Sequence, residues 1–366
     1  MMNRLMMGLL LAACAALASR GGGGVTSAAP PSTSPTPTFT ASSVHHILFV
    51  GDSLTHGRYT PVRSFNSGGS ESDTTGSAYV TDENYGQTGN RAEREPGPWG
   101  GIPGIFAQLA SEAGLTYDVH IEAISKTSLA KNYEAASTII DQPKWNAVVL
   151  QEISARPLPA SLTGNASGRP ATFCSSVQTI EAGIHAVAPT ADVYLYETWP
   201  SGATAQQLSG STTASDFPAR YAAKLEAIRA AYHASYFGAA QKDGRIAGVA
   251  PVGDAWAAAW AANVANDNPY SSTSPLPLLW YGMNARNDPA ISKPDYLHPS
   301  VYGAYLSGLV LFQQITGVDP RSLGAGEGVA TRLGISPSVA VRLQQVAHDA
   351  VIAGAAAKVA RGSGCS

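Results

Sequence analysis

Five short apolar runs punctuate this chain: His46 to Val50, Tyr117 to Ala123, Ala147 to Leu150, Asp192 to Tyr196, and Arg245 to Pro251. Each gives way to polar or turn residues, as strands buried on both faces of a parallel sheet do. Between them, Ile102 to Ala113, Val177 to Val187 and Phe217 to Phe237 carry alanine and leucine at three- and four-residue spacing, the period of helices with one buried face. Strand and helix in alternation predict an α/β fold with a parallel five-stranded sheet covered on both sides. Beyond the last run, Val252 to Ala265 and Pro299 to Ile315 predict helices. Ser336 to Ala360 predicts a terminal one, with Ser336 as its cap and Pro337 in its first position. In an open sheet of this kind the working site forms beyond the carboxyl ends of the strands. Ser53 and the turns after Ala123 and Leu150 fall on that rim. No internal repeat or second domain shows in the pattern, so residues 44–366 are expected to form one domain.

One connection is too long to be a bare link. Residues 58–98 contain Gly68, Gly69, Tyr79, Tyr85, Gly86, Gly89, Pro96, Gly97 and Pro98 and leave the strand end that bears Ser53. A substrate-facing flap is the preferred expectation, a surface excursion the alternative.

The first 18 residues carry one arginine, Arg4, and then an apolar stretch through Leu5, Leu9, Leu10 and Leu11, which is too short to span a bilayer and has the form of an export signal. Two processing sites compete. Leu11-Ala12-Ala13-Cys14 resembles a lipobox, which would lipidate Cys14, whereas Ala16-Leu17-Ala18 fits ordinary signal cleavage. Simple secretion is favoured because the residues just after Cys14 stay apolar where a tether turns polar. Residues 19–43 hold Gly21 to Gly24, Pro30, Pro31, Pro35 and Pro37 among serine and threonine, a linker composition that buries nothing. In an exported chain the two remaining cysteines, Cys174 and Cys365, are expected to pair, tying the C-terminal tail to the segment ahead of a helix that starts near Ser175. Neither has the spacing of a metal ligand, and no metal or organic cofactor is expected.

The hydrophobic fraction of 44% supports a substantial core, and a formal net charge of -3 without a lysine and arginine cluster sets nucleic-acid binding aside. The chemistry concentrates in two places. The run Ile47-Leu48-Phe49-Val50-Gly51-Asp52-Ser53-Leu54-Thr55-His56-Gly57 delivers a serine off the end of a strand, and Asp295-Tyr296-Leu297-His298-Pro299-Ser300 supplies an imidazole with a carboxylate three residues before it. Of the eight histidines only His298 has that carboxylate. A hydroxyl at neutral pH needs a base to take its proton and an acid to hold that base in the right tautomer. These segments contain all three parts. Asp52 itself is expected to accept turn N–H groups rather than take part in the chemistry.

Gly51-Asp52-Ser53-Leu54 at the first strand and Asp295-x-x-His298 late in the chain resemble the GDSL, or SGNH, hydrolases over residues 44 to about 318. The resemblance implies a flavodoxin-like three-layer α/β/α sandwich, with Ser53 as nucleophile, His298 as base and Asp295 as third member. The family completes an oxyanion hole with the serine N–H, a glycine after the second strand and an asparagine after the third. This chain departs at both. Ile124-Ser125-Lys126-Thr127 puts Lys126 in the glycine's place, keeping an N–H but losing glycine's backbone freedom. Leu150-Gln151-Glu152-Ile153-Ser154 has no asparagine, and the Gln151 amide is expected to donate instead, or else to satisfy local backbone. Gln151, Trp199-Pro200, Pro251-Val252-Gly253-Asp254-Ala255-Trp256 and His298-Pro299-Ser300-x-x-Gly303-x-Tyr305-Leu306 resemble a divergent branch of that family with a Gln-Glu-x-Ser block.

The function expected is therefore an exported serine esterase acting on short acyl esters, with O-acetyl groups on carbohydrate among the candidates. Its partner would be a small-molecule or carbohydrate ester, with membrane contact only through a lipid on Cys14. Acyl transfer to a sugar hydroxyl and a cell-surface binding module on an inactivated fold are the alternatives. A glycosidase pair of Glu152 and Glu197 ranks low, and Trp99, Trp199, Trp256 and Tyr281 are expected in the core more than along a sugar-binding groove.

Overall fold

The computed structural model describes residues 44–68, 79–95, 97–163, 167–270, 273–282, 294–357 and 364–366. The expected export signal, Cys14 and the linker fall outside the described residues, as do Gly69, Pro96 and residues 358–360 of the expected terminal helix.

Six strands form one sheet: β1 (His45–Gly51), β2 (Val80–Asp82), β3 (Tyr117–Ala123), β4 (Ala147–Leu150), β5 (Asp192–Tyr196) and β6 (Gly248–Ala250), in the order β2-β3-β1-β4-β5-β6. Every neighbouring pair is parallel. Without β2, the order is that of a flavodoxin-like sheet, with the topological switch beside β1. The sheet thus has six strands, not the expected five. The extra one, β2, sits inside the 58–98 connection, and of its three residues only Val80 is fully buried, so no apolar run marks it. Its partner β3 supplies the register that makes it a strand.

The helices are α1 (Ser53–His56), α2 (Gly101–Glu112), α3 (Leu129–Ile140), α4 (Ala160–Thr163), α5 (Pro170–Val187), α6 (Gly202–Ser209), α7 (Phe217–Asp243), α8 (Val252–Ala261), α9 (Val301–Thr316), α10 (Gly328–Arg332) and α11 (Pro337–Ala355). One group joins α2, α8, α9 and α11, another α3, α5 and α7, and together they flank the sheet. α3 was not expected. Its Leu129, Tyr133, Ala136 and Ile140 recur at helical spacing, and Leu129, Asn132, Ala136 and Ile140 are the residues it buries, so the sequence carried a signal here that was passed over. Strand β1 is the centre of the core, with Ile47, Leu48, Phe49 and Val50 wholly buried.

Register brings the working ends together. Gly51 lies opposite Ala123 and Val50 opposite Leu150, so the chain leaves β1, β3 and β4 at nearly one level. Cys174 and Cys365 form a disulfide. Helix α5 begins at Pro170, earlier than expected, so Cys174 lies within the helix rather than ahead of it. Among the described residues no helix is long and apolar enough to cross a membrane.

Candidate active site

Ser53 opens α1 directly after β1. Asp52 caps this helix, its Oδ1 accepting the Leu54 N–H at 2.9 Å, and Gly57 ends it at φ 76°. At Gly51 a Cβ would lie 2.2 Å from Thr55 Oγ1 and 2.5 Å from Gln151 Oε1, which is why the turn needs glycine there. Burial pushes the Asp52 carboxyl up to about 6 against the lowering effect of the Leu54 N–H. Asp52 therefore serves as cap, as expected.

His298 Nε2 stands 2.8 Å from Ser53 Oγ, and His298 Nδ1 lies 2.9 Å from Asp295 Oδ2 and 3.0 Å from Oδ1. An ionised carboxylate only accepts, so Nδ1 carries the proton and the Nε2 lone pair faces the serine hydroxyl. Asp295 Oδ1 also accepts the N–H groups of Leu297 and His298 at 2.9 Å, and Tyr59 donates its hydroxyl to Oδ2 at 2.6 Å. Burial alone would raise the Asp295 carboxyl. His298, Tyr59 and the backbone donors outweigh it and hold the group well below the usual carboxylate range. The loop bearing this pair is fixed by the Trp199 indole donating to Leu297 O at 2.8 Å and by Gly202 N–H donating to Tyr296 O at 2.9 Å. His298 is 3% exposed and Ser53 7%.

Lys126 occupies the third position of a turn closed by Thr127 N–H on Ile124 O at 3.2 Å, with φ 62°. Lysine lacks glycine's backbone freedom, yet it stands here in a glycine-like conformation. The left-handed shape is kept, against a strain of roughly 1–2 kcal/mol. The N–H groups of Ser53 and Lys126 have no acceptor among the described residues. Gln151 departs from its expected placement. Its Oε1 accepts the Asp52 N–H at 3.0 Å and the Thr55 hydroxyl at 2.7 Å, and its Nε2 donates to Glu152 O at 2.5 Å. Both ends of the amide are engaged inside the turn it was expected to look out from.

The connection after α1 reaches this site in two places that the sequence did not signal. Tyr59 stacks on Tyr281 at 3.8 Å besides holding Asp295, and Glu93 Oε2 accepts the Ser125 N–H at 2.7 Å. Arg58 and Glu95 pair at 3.3 Å nearby. Glu93 lies in a polar stretch without periodicity, and Tyr59, spaced by three from the buried Val62 and Phe65, reads only as a core position, so no motif marks either for the site.

Trp99, Trp199, Trp256 and Tyr281 are buried, in keeping with a place in the core. Glu152 accepts the N–H groups of Leu129 and Ile153, and Glu197 that of Asp254, so these carboxylates are embedded rather than paired across a cleft. Glu197, His233 and Asp254 bring three ligand-type atoms within 4.8 Å of one another. Both Asp254 oxygens are already held, by Arg229 at 2.6 Å and by His233 Nδ1 at 2.7 Å.

No protein-family model and no curated protein matches the chain. Among solved structures it is similar to a DUF4886 family protein from Bacteroides uniformis, at 13% identity and TM-score 0.48, covering 87% of this chain and 98% of that one. An extracellular lipase from Streptomyces rimosus aligns at 13% identity and TM-score 0.43, over 75% of this chain and 99% of that one. A variant of an acetyl-xylooligosaccharide esterase from Geobacillus aligns at 12% identity and TM-score 0.40, over 75% and 94%.

Proposed function

We propose that this protein is an exported serine esterase of the GDSL/SGNH type that hydrolyses short acyl esters, O-acetyl groups on carbohydrate among them. The observation that carries this reading is the unbroken relay from Ser53 Oγ through His298 to Asp295 at the carboxyl end of β1. Ser53 Oγ attacks the ester carbonyl while His298 Nε2 takes its proton, and Asp295 stabilises the imidazolium. The tetrahedral oxyanion accepts from the Ser53 and Lys126 N–H groups. His298 returns the proton to the departing alcohol, then draws one from the water that attacks the acyl-enzyme, and the acid leaves with Ser53 restored.

A serine this enclosed suits a small acyl group. A cavity of about 150 Å³ lies between Ser154, Leu158, Ser201, Thr204, Ile228 and Tyr232. Ser201 donates its hydroxyl to Tyr296 O at 3.5 Å, which joins one wall of this cavity to the Asp295–His298 loop. The Cys174–Cys365 disulfide supports an oxidising compartment.

Purified protein is expected to hydrolyse p-nitrophenyl acetate far faster than the decanoate, to release acetate from acetylated xylooligosaccharide, and to take a fluorophosphonate label on Ser53. Ser53→Ala and Asp295→Asn are each expected to lower kcat by about 10³-fold or more. No turnover together with no label overturns the assignment and leaves a binding module. Full activity in Asp295→Asn would show that another acid serves His298.

A further inference from the structure

We infer that a side-chain clamp, Glu93 from the connection after α1 and His56 from α1 itself, holds the turn before Lys126 in the shape that presents the Lys126 N–H to the oxyanion. This rests on the esterase reading and adds positioning residues to it. Two polar groups of Ser125 are gripped from outside the turn: Glu93 Oε2 accepts its N–H at 2.7 Å, and His56 Nε2 lies 2.9 Å from its Oγ. Each jaw is itself held. Glu93 Oε1 accepts the N–H groups of Arg94 and Glu95 at 2.7 and 3.0 Å, which orients the carboxylate. His56 stacks flat on Trp99 at 4.0 Å, and its Nδ1 accepts the Arg58 N–H at 3.2 Å. With Nδ1 accepting, Nε2 carries the proton and donates it to Ser125 Oγ, so His56 is a fixed donor and does not activate Ser125.

The clamp answers a specific need. A lysine does not rest at φ 62° by its own preference, and the exposed Lys126 side chain makes no hydrogen bond among the described residues that would compensate. Relaxation to negative φ would rotate the peptide between Ser125 and Lys126 and turn its N–H from the hole. A glycine would need no such help. The chain therefore reaches, by gripping the preceding residue, the conformation that glycine adopts freely, and the connection after α1 becomes part of the oxyanion turn.

The test measures kcat and KM for p-nitrophenyl acetate in Glu93→Ala and in Glu93→Ala/Lys126→Gly, with crystal structures of both. Glu93→Ala is expected to lose on the order of 10–100-fold in kcat with KM changed by less than about two-fold, because an oxyanion donor acts in the transition state. The double variant is expected to recover about tenfold or more over the single one, since glycine takes the left-handed position unaided. Glu93→Gln, which keeps an acceptor toward Ser125 N–H, is expected to fall between Glu93→Ala and the unmodified protein. A kcat unaffected by Glu93→Ala, or a loss that Lys126→Gly does not recover, overturns the clamp. So does a crystal structure of Glu93→Ala with Lys126 still at positive φ. That arm decides the clamp even if the protein hydrolyses no ester, an outcome that would overturn the esterase reading by itself.

Discussion

Gln151 shows how one side chain can fix the turn that carries Ser53 without touching the serine hydroxyl. It is buried, and its Oε1 joins the Asp52 N–H to the Thr55 hydroxyl, bracketing Ser53 from both sides in sequence. Truncation to Gln151→Ala strands a buried N–H and a buried hydroxyl. An expected loss of about 2–3 kcal/mol in unfolding free energy follows, measurable by urea denaturation. The loss is expected equally in the Ser53→Ala background, which separates this role from a catalytic one. The sequence marked Gln151 by position, at the end of a strand on the working rim, yet position alone left two roles open for its amide. Which partners it takes depends on how β1 and β4 align, and that is a long-range property. Ser53, His298 and Asp295 were legible for the opposite reason: their order and local spacing are written in two short segments.

At the scale of elements, the end of β4 carries a second consequence. Glu152 follows Gln151 and is buried, one oxygen accepting two N–H groups and the other, Oε2, without a partner among the described residues. Burial, opposed by those N–H groups, pushes its carboxyl from 4.5 up to about 7. Between those values the folded protein holds a proton that the unfolded chain has released, so the associated stability is present below about pH 4.5 and is lost as pH rises through 7. Asp52, raised from 3.8 to about 6, acts in the same direction. Asp295 acts in the other: its contribution is present above its unfolded value of 3.8 and is lost as pH falls through its depressed folded value. Glu152→Gln keeps an acceptor for Leu129 and Ile153. It is expected to gain on the order of 2–3 kcal/mol at pH 8 relative to the unmodified protein and nothing at pH 4.5, read from denaturant midpoints at the two pH values. Four of the five expected strands match closely, because a strand buried on both faces is a continuous apolar run. The fifth shrinks to Gly248–Ala250, and β2 was missed because only Val80 of its three residues is buried and its form comes from β3, whereas α3 was passed over although Leu129, Ala136 and Ile140 fall at helical spacing.

For the whole molecule, the disulfide between Cys174 and Cys365 closes a span of 191 residues and ties the chain's end to α5. Cys365→Ser is expected to lower unfolding free energy by about 2–4 kcal/mol while leaving kcat for p-nitrophenyl acetate within about two-fold, since the bond constrains the unfolded chain. A larger loss of kcat would show that α5 transmits to the rim. By itself the sequence determined the class of fold, the strand that carries the serine and the three residues of the relay, since apolar runs, helical spacing and a carboxylate three residues before a histidine are local signals. What surrounds the relay came from long-range packing: Tyr59 on Asp295, the inward turn of Gln151, and Glu93 with His56 on the turn before Lys126. Each of these contacts joins segments far apart in the chain or turns a side chain between alternative partners. No spacing records such choices, because packing makes them once the sheet has set its register.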